Sequence, residues 1–124
     1  MENKDPKKIL IIEDDQDLTL SLSTLFKSQG YLTIIAHDSL FGINLAHKEK
    51  IDLVILDLNL PAGGGFFVLE NLKKSLHTKQ IPVLILTANQ EEGLQEKACK
   101  MGVAAYLNKP FEPEELLRQV KNLL

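Results

Sequence analysis

Five short apolar runs, at residues 8–12, 31–36, 53–57, 81–87 and 104–108, alternate with longer stretches in which apolar residues recur at helical spacing. Apolar runs rich in β-branched residues read as strands buried on both faces, the habit of parallel sheets. Between them, Leu18, Leu22, Leu25 and Phe26 predict a first helix, and Gly30 stands where a helix C-terminal glycine belongs. Residues 39–48 predict a short second helix with Ile43 and Ala46 on one face. Residues 61–65 form a breaker cluster that leads into a third helix marked by Phe66, Leu69 and Leu72. Leu94, Ala98 and Met101 mark a fourth, stopped by Gly102. The last helix starts near Pro113, with Glu114 and Glu115 favourable to its dipole, and carries Leu116, Leu117, Val120 and Leu124. Regular strand–helix alternation with short loops predicts a doubly wound α/β sandwich with right-handed crossovers.

Three of the runs end in a chemically unusual group: Glu13-Asp14-Asp15 after the first, Asp57 at the end of the third and Lys109-Pro110 after the fifth. The fourth ends in Thr87. Open parallel sheets collect ligands outside the carboxyl ends of their strands, so acids, a hydroxyl and an amine are expected at one edge. Clustered carboxylates repel unless a cation offsets them. Glu13, Asp14 and Asp57 offer only hard oxygen donors, which favour Mg2+ over zinc. Asp15 and Asp17 read instead as acids suited to a helix N-terminus. A carboxylate such as Asp57 can attack phosphorus to give an acyl phosphate. Lys109 and Thr87 could then neutralise and bind the phosphoryl oxygens.

Composition narrows the field. A chain of 124 residues is one domain, with an ordered core expected over about residues 7–124 and no output domain expected within it. The net charge of -3 and the lack of a basic stripe argue against direct nucleic-acid binding. Cys99 is the only cysteine, which excludes an intrachain disulfide and reads as a small helix residue. His37, His47 and His77 show no ligand spacing. Residues 1–8 lack the apolar segment of a secretory signal, and no apolar run approaches a membrane span, so a cytoplasmic location is expected.

The segments ILIIEDD, LVILDLNLP, VLILTA and AYLNKPF, in this order and spacing, resemble the receiver domain of bacterial two-component response regulators, of the chemotaxis-regulator kind, over essentially the full length. The resemblance implies a flavodoxin-like (βα)5 sandwich with a parallel five-stranded sheet in order 2-1-3-4-5. It implies a phosphoacceptor at Asp57, with Glu13 and Asp14 as the acidic pair and Asp14 the direct Mg2+ ligand. The backbone carbonyl of Asn59 matches a further ligand. Thr87 and Lys109 match the phosphoryl-sensing pair, Tyr106 the aromatic that changes rotamer on activation, and Lys109-Pro110 a bond that is typically cis. Asn59 and Asn89 match positions that flank the attacking water and tune self-dephosphorylation. The implied partners are a sensor histidine kinase or histidine phosphotransfer protein and a downstream protein or output domain. The resemblance also implies that the signal passes through the face made by the fourth helix, fifth strand and fifth helix.

The chain departs from the family pattern in three places. Ala62-Gly63-Gly64-Gly65 stands where relatives hold a bulky residue and an acid or hydroxyl, and predicts a mobile loop beside Asp57. Val103-Ala104-Ala105 lacks the acids that transcription-factor receivers use in dimer salt bridges, which weighs against that dimer without excluding another phosphorylation-dependent one. Leu40, Phe41 and Leu45 on the second helix, and Phe67 on the third, are apolar where relatives are polar. At about 100° per residue Phe41 and Leu45 are expected to point away from the core, and with Phe67 to form a docking patch for a kinase or partner domain. Two other functions stay open at this stage. A haloacid-dehalogenase-type hydrolase would need an acid where Asn59 stands, and a flavodoxin-like cofactor binder would place phosphate against the acidic 13–17 segment. The expected role is therefore a signalling switch rather than an enzyme, its chemistry limited to self-catalysed phosphotransfer and slow self-dephosphorylation.

Overall fold

The computed structural model describes residues 5–124; residues 1–4, part of the polar N-terminal stretch, lie outside the described residues. Five strands, β1 (Lys8–Ile12), β2 (Leu32–Ala36), β3 (Leu53–Leu56), β4 (Val83–Thr87) and β5 (Ala105–Asn108), form one parallel sheet in the order β2-β1-β3-β4-β5. The helices between and after them are α1 (Gln16–Ser28), α2 (Ser39–Lys48), α3 (Gly64–Lys74), α4 (Leu94–Lys100) and α5 (Pro113–Leu123). The predicted architecture and strand order are both present.

Side chains alternate along each strand, so one continuous apolar run feeds two cores. Ile9, Ile11, Leu53, Ile55, Leu84 and Leu86 pack against Leu22 and Phe26 of α1 and Leu116 and Val120 of α5. Leu10, Ile12, Val54, Leu56 and Ile85 turn to the other face, against α2, α3 and α4 through Ala46, Leu69, Leu72 and Ala98. Burial on both faces explains why these strands read as unbroken apolar runs rather than alternating ones.

The observed boundaries are tighter than the sequence pattern by a residue or two. Tyr31 is spent on the turn after α1, where its N–H donates to the Phe26 carbonyl, and β2 starts at Leu32. Ile81 closes a turn onto Thr78, Pro82 has no N–H to donate, and β4 starts at Val83. Asp57 sits one residue beyond β3, although its N–H still donates to the Ile12 carbonyl.

Leu45 corrects one expectation: it is half-buried and packs against the core, whereas Leu40 and Phe41 are exposed. The cause is Gly42. Its bare Cα faces Ile12, where a Cβ would lie 2.6 Å from Cδ1, so α2 settles onto β1 along this side and carries Leu45 inward. Phe41 is 52% and Phe67 41% exposed, as expected, but Leu45 is not part of such a patch. Among the described residues, no helix is long and apolar enough to cross a membrane.

Candidate functional site

Parallel strands aligned in register deliver their last residues to one edge. Ile12 pairs with Leu56, Leu56 with Ile85, and Thr87 with Asn108, so Glu13, Asp57, Thr87 and Lys109 follow one another along that edge. Glu13 and Asp57 are buried, at 3% and 6% exposure, and Thr87 is fully buried, while Asp14 is exposed. One carboxylate oxygen from each of Glu13, Asp14 and Asp57 lies within 4.8 Å of the others.

Lys109 answers this cluster from β5. Its Nζ donates to Glu13 Oε1 at 2.7 Å and to Asp57 Oδ2 at 3.4 Å. Burial works against its charge, but the hydrogen bond to Glu13 and the charges of Asp57 and Glu13 outweigh it and raise its pKa. Burial likewise pushes the Glu13 carboxyl above the usual carboxylate range, with the Asp57 charge adding to the effect. The Lys109 contact and the Asp15 N–H, which donates to Oε2, pull the other way without cancelling it. Three acids against one amine leave an electronegative site with hard oxygen donors. That set fits Mg2+, a cation bound by one or two carboxylates while keeping several waters.

The loops around the acids are held by short local bonds. The Asn59 N–H donates to Asp57 Oδ1 at 3.2 Å. The Asn89 N–H donates to Thr87 Oγ1 at 3.2 Å, which leaves the hydroxyl proton available to another acceptor. Across the mouth of the site, Asn89 Nδ2 donates to Asn59 Oδ1 at 3.1 Å, joining two loops thirty residues apart. The Lys109 N–H donates to the Thr87 carbonyl, and the Lys109-Pro110 bond is cis. Tyr106, paired with Ile85 on β5, is half-buried and lines a cavity of about 340 Å³ with Asn89, Gln90 and Asn108. Burial, and Cys99 secondarily, raise its phenol pKa.

All the residues expected at the rim therefore lie there, with Tyr106 beside it and Phe41 and Phe67 exposed on the neighbouring helices. Two participants escaped the sequence reading. His37 Nδ1 is 3.0 Å from the Glu13 carbonyl oxygen, a contact with the backbone that side-chain spacing cannot reveal. Ser39 is fully buried and ties the 61–65 segment to α2, as its hydroxyl donates to the Gly64 carbonyl and its N–H to the Pro61 carbonyl. A faint signal for it existed, because Asp38 and Ser39 are two cap-type residues in a row and a helix needs one.

Similar proteins give the same reading. The chain is 36% identical over 117 residues to the probable transcriptional regulator ycf29 of Pyropia yezoensis, covering 94% of this chain and 53% of that protein. It spans about half the length of the curated relatives it matches. Chemotaxis protein CheY4 of Vibrio cholerae superposes with a TM-score of 0.89 at 27% identity, over 97% of this chain and all of that one. The receiver domain of sensor histidine kinase PA1611 from Pseudomonas aeruginosa PAO1, which has magnesium coordinated in its active-site cleft, superposes with a TM-score of 0.87 at 25% identity, over 96% and 98% of the two chains. A family model, the response regulator receiver domain, matches residues 9–121. With that match over nearly its whole length, and the acids and amine of the motif gathered at one sheet edge, this chain belongs to the response regulator receiver domains of two-component systems.

Proposed function

We propose that this receiver is a phosphorylation switch that takes a phosphoryl group onto Asp57. The single observation that carries the reading is the meeting of Glu13, Asp14 and Asp57 within 4.8 Å, with the Lys109 amine bonded into the cluster. A carboxylate oxygen of Asp57 attacks phosphorus, the nitrogen–phosphorus bond of a donor phosphohistidine breaks, and the imidazole leaves. Asp57, Asp14 and Glu13, with the Asn59 backbone carbonyl, would hold Mg2+, and the bound metal would supply charge neutralisation on the phosphoryl oxygens.

Lys109 trades its contact with Asp57 for a phosphoryl oxygen while retaining Glu13, and Thr87 donates its free hydroxyl proton to another. Driving a two-state equilibrium from 1:99 to 99:1 takes about 5.5 kcal/mol. Each hydrogen bond to a charged group contributes roughly 1.5–3 kcal/mol, and because Lys109 gives up its Asp57 contact to make the new one, Lys109 and Thr87 supply only part. Repacking of Tyr106 against the cavity beside it, and of the α4–β5–α5 face, supplies more. Asn59 lacks an acidic proton for a leaving group, so turnover is limited to slow self-dephosphorylation, tuned by Asn59 and Asn89.

In this reading the donor is a sensor histidine kinase or histidine phosphotransfer protein in the cytoplasm, and the switched face addresses a downstream protein or an output domain. The test is incubation with a small acyl-phosphate donor and Mg2+, followed by intact mass. One phosphoryl adduct that is absent without Mg2+ and absent in Asp57→Asn is expected. An adduct that persists in that variant refutes the reading.

A further inference from the structure

We propose that Ser39 is a positioning residue for the acceptor loop, fixing the backbone between Asp57 and Gly65 in the shape that binds a divalent cation. The proposal rests on the metal-dependent reading above. Asp38 already caps α2, since its Oδ1 accepts the Phe41 N–H at 2.8 Å, so the Ser39 side chain is free for another task. It is fully buried, and its hydroxyl donates to the Gly64 carbonyl at 2.8 Å, across 25 residues of sequence. Its own N–H donates to the Pro61 carbonyl at 3.1 Å, so one residue holds both sides of the same turn.

That turn has little of its own to hold its shape. Ala62, Gly63 and Gly64 have φ values of 63°, 119° and 83°, three successive residues in the left-handed region. No side chain larger than a methyl stands between Pro61 and Phe66, and α3 begins without a side-chain cap. Apart from the bonds to Ser39, the turn is closed by the Gly65 N–H donating to the Leu58 carbonyl at 2.9 Å. Asn59 lies within this loop, its N–H on Asp57 and its carbonyl the candidate ligand. Loosening the Gly64 end therefore changes where the Asn59 carbonyl points. A cation site punishes such freedom, because the entropy of ordering the loop is then charged against binding.

The full chain, Ser39→Ala and Ser39→Thr are compared by calorimetric Mg2+ titration, by amide exchange of Asn59, Gly63 and Gly64 without metal, and by thermal melting. Ser39→Ala is expected to bind Mg2+ about fivefold more weakly, the effect of one neutral hydrogen bond, and to exchange the three amides faster. Its phosphorylation falls at low Mg2+ and recovers at saturation. Ser39→Thr, which keeps the hydroxyl, retains the original affinity within about twofold. Ser39→Ala binding Mg2+ as tightly as the unmodified chain overturns the proposal whatever its melting temperature, since Ser39 then serves stability alone. Ser39→Thr losing as much affinity as Ser39→Ala also overturns it. An unmodified chain that binds no Mg2+ removes both this proposal and the metal-dependent switch.

Discussion

Replacing Lys109 by Met removes the amine bonded to Glu13 and Asp57 and keeps much of its stem. The side chains of Lys109, Glu13 and Asp57 are only 19%, 4% and 7% exposed, so solvent screening is weak. At 2.7 and 3.4 Å, unit charges in an effective dielectric of about 20 attract by roughly 5–6 kcal/mol before desolvation is subtracted. Removing one member of a buried pair typically costs about 3–5 kcal/mol, and the partial exposure of Lys109 argues for the lower figure. An unfolding entropy of about 2.1 cal/mol/K per residue over 124 residues converts about 3 kcal/mol into a drop in Tm of roughly 10 °C.

The pH dependence has a definite sign. The raised Lys109 pKa means that its stabilisation is complete below the ordinary lysine value of about 10.4 and is lost only as pH rises through the folded value. Its own titration therefore adds no pH dependence in the acidic and neutral range. The raised Glu13 pKa acts oppositely: between the ordinary carboxylate value and the folded one, the folded state holds more protons, so stability falls as pH rises. Without Lys109 the Glu13 pKa climbs further, and the deficit of Lys109→Met is largest at neutral pH and shrinks toward about pH 5. Urea and thermal unfolding in EDTA at both pH values measure it. A variant within about 0.5 kcal/mol of the unmodified chain at neutral pH, or a deficit independent of pH, refutes the electrostatic reasoning.

Mg2+ at about 100 times its Kd adds about 2.7 kcal/mol, raising Tm by roughly 10 °C, and EDTA reverses the shift; a melting curve indifferent to Mg2+ contradicts the ligand set. Asp57→Asn relieves repulsion among three carboxylates within 4.8 Å while Lys109 keeps its shorter bond to Glu13, so the loss of the longer Asp57 contact is outweighed and the metal-free protein gains about 1 kcal/mol; unfolding in EDTA that shows a loss contradicts this. Gly65→Ala places a Cβ 2.4 Å from the Asp57 carbonyl oxygen and 2.6 Å from the Leu58 Cα, both backbone atoms, and destabilises by about 2–3 kcal/mol in urea titrations.

The alternation of apolar runs and helical spacing carried the fold, because strands buried on both faces have no polar side to blur the pattern. The rim was equally legible: Glu13, Asp57, Thr87 and Lys109 each directly follow or end a strand, and parallel register does the rest. What the pattern left out depends on packing between distant segments. Leu45 was misplaced because α2 packs closely enough on Ile12 at Gly42 to bring Leu45 against the core, a contact between distant segments that no local periodicity encodes. The Asn59–Asn89 bridge and the hold of Ser39 on Gly64 join residues 30 and 25 positions apart. The glycines of the loop at 61–65 do not announce its three backbone attachments, two of them to Ser39.

The most direct test of the central claim is chemical trapping of the phosphorylated residue. The chain is treated with a phosphodonor and Mg2+, reduced with borohydride, and sequenced by mass spectrometry. An acyl phosphate on Asp57 is converted to homoserine at position 57 alone. Homoserine at position 14, or phosphate retained on a histidine, serine or threonine with position 57 unmodified, contradicts the account.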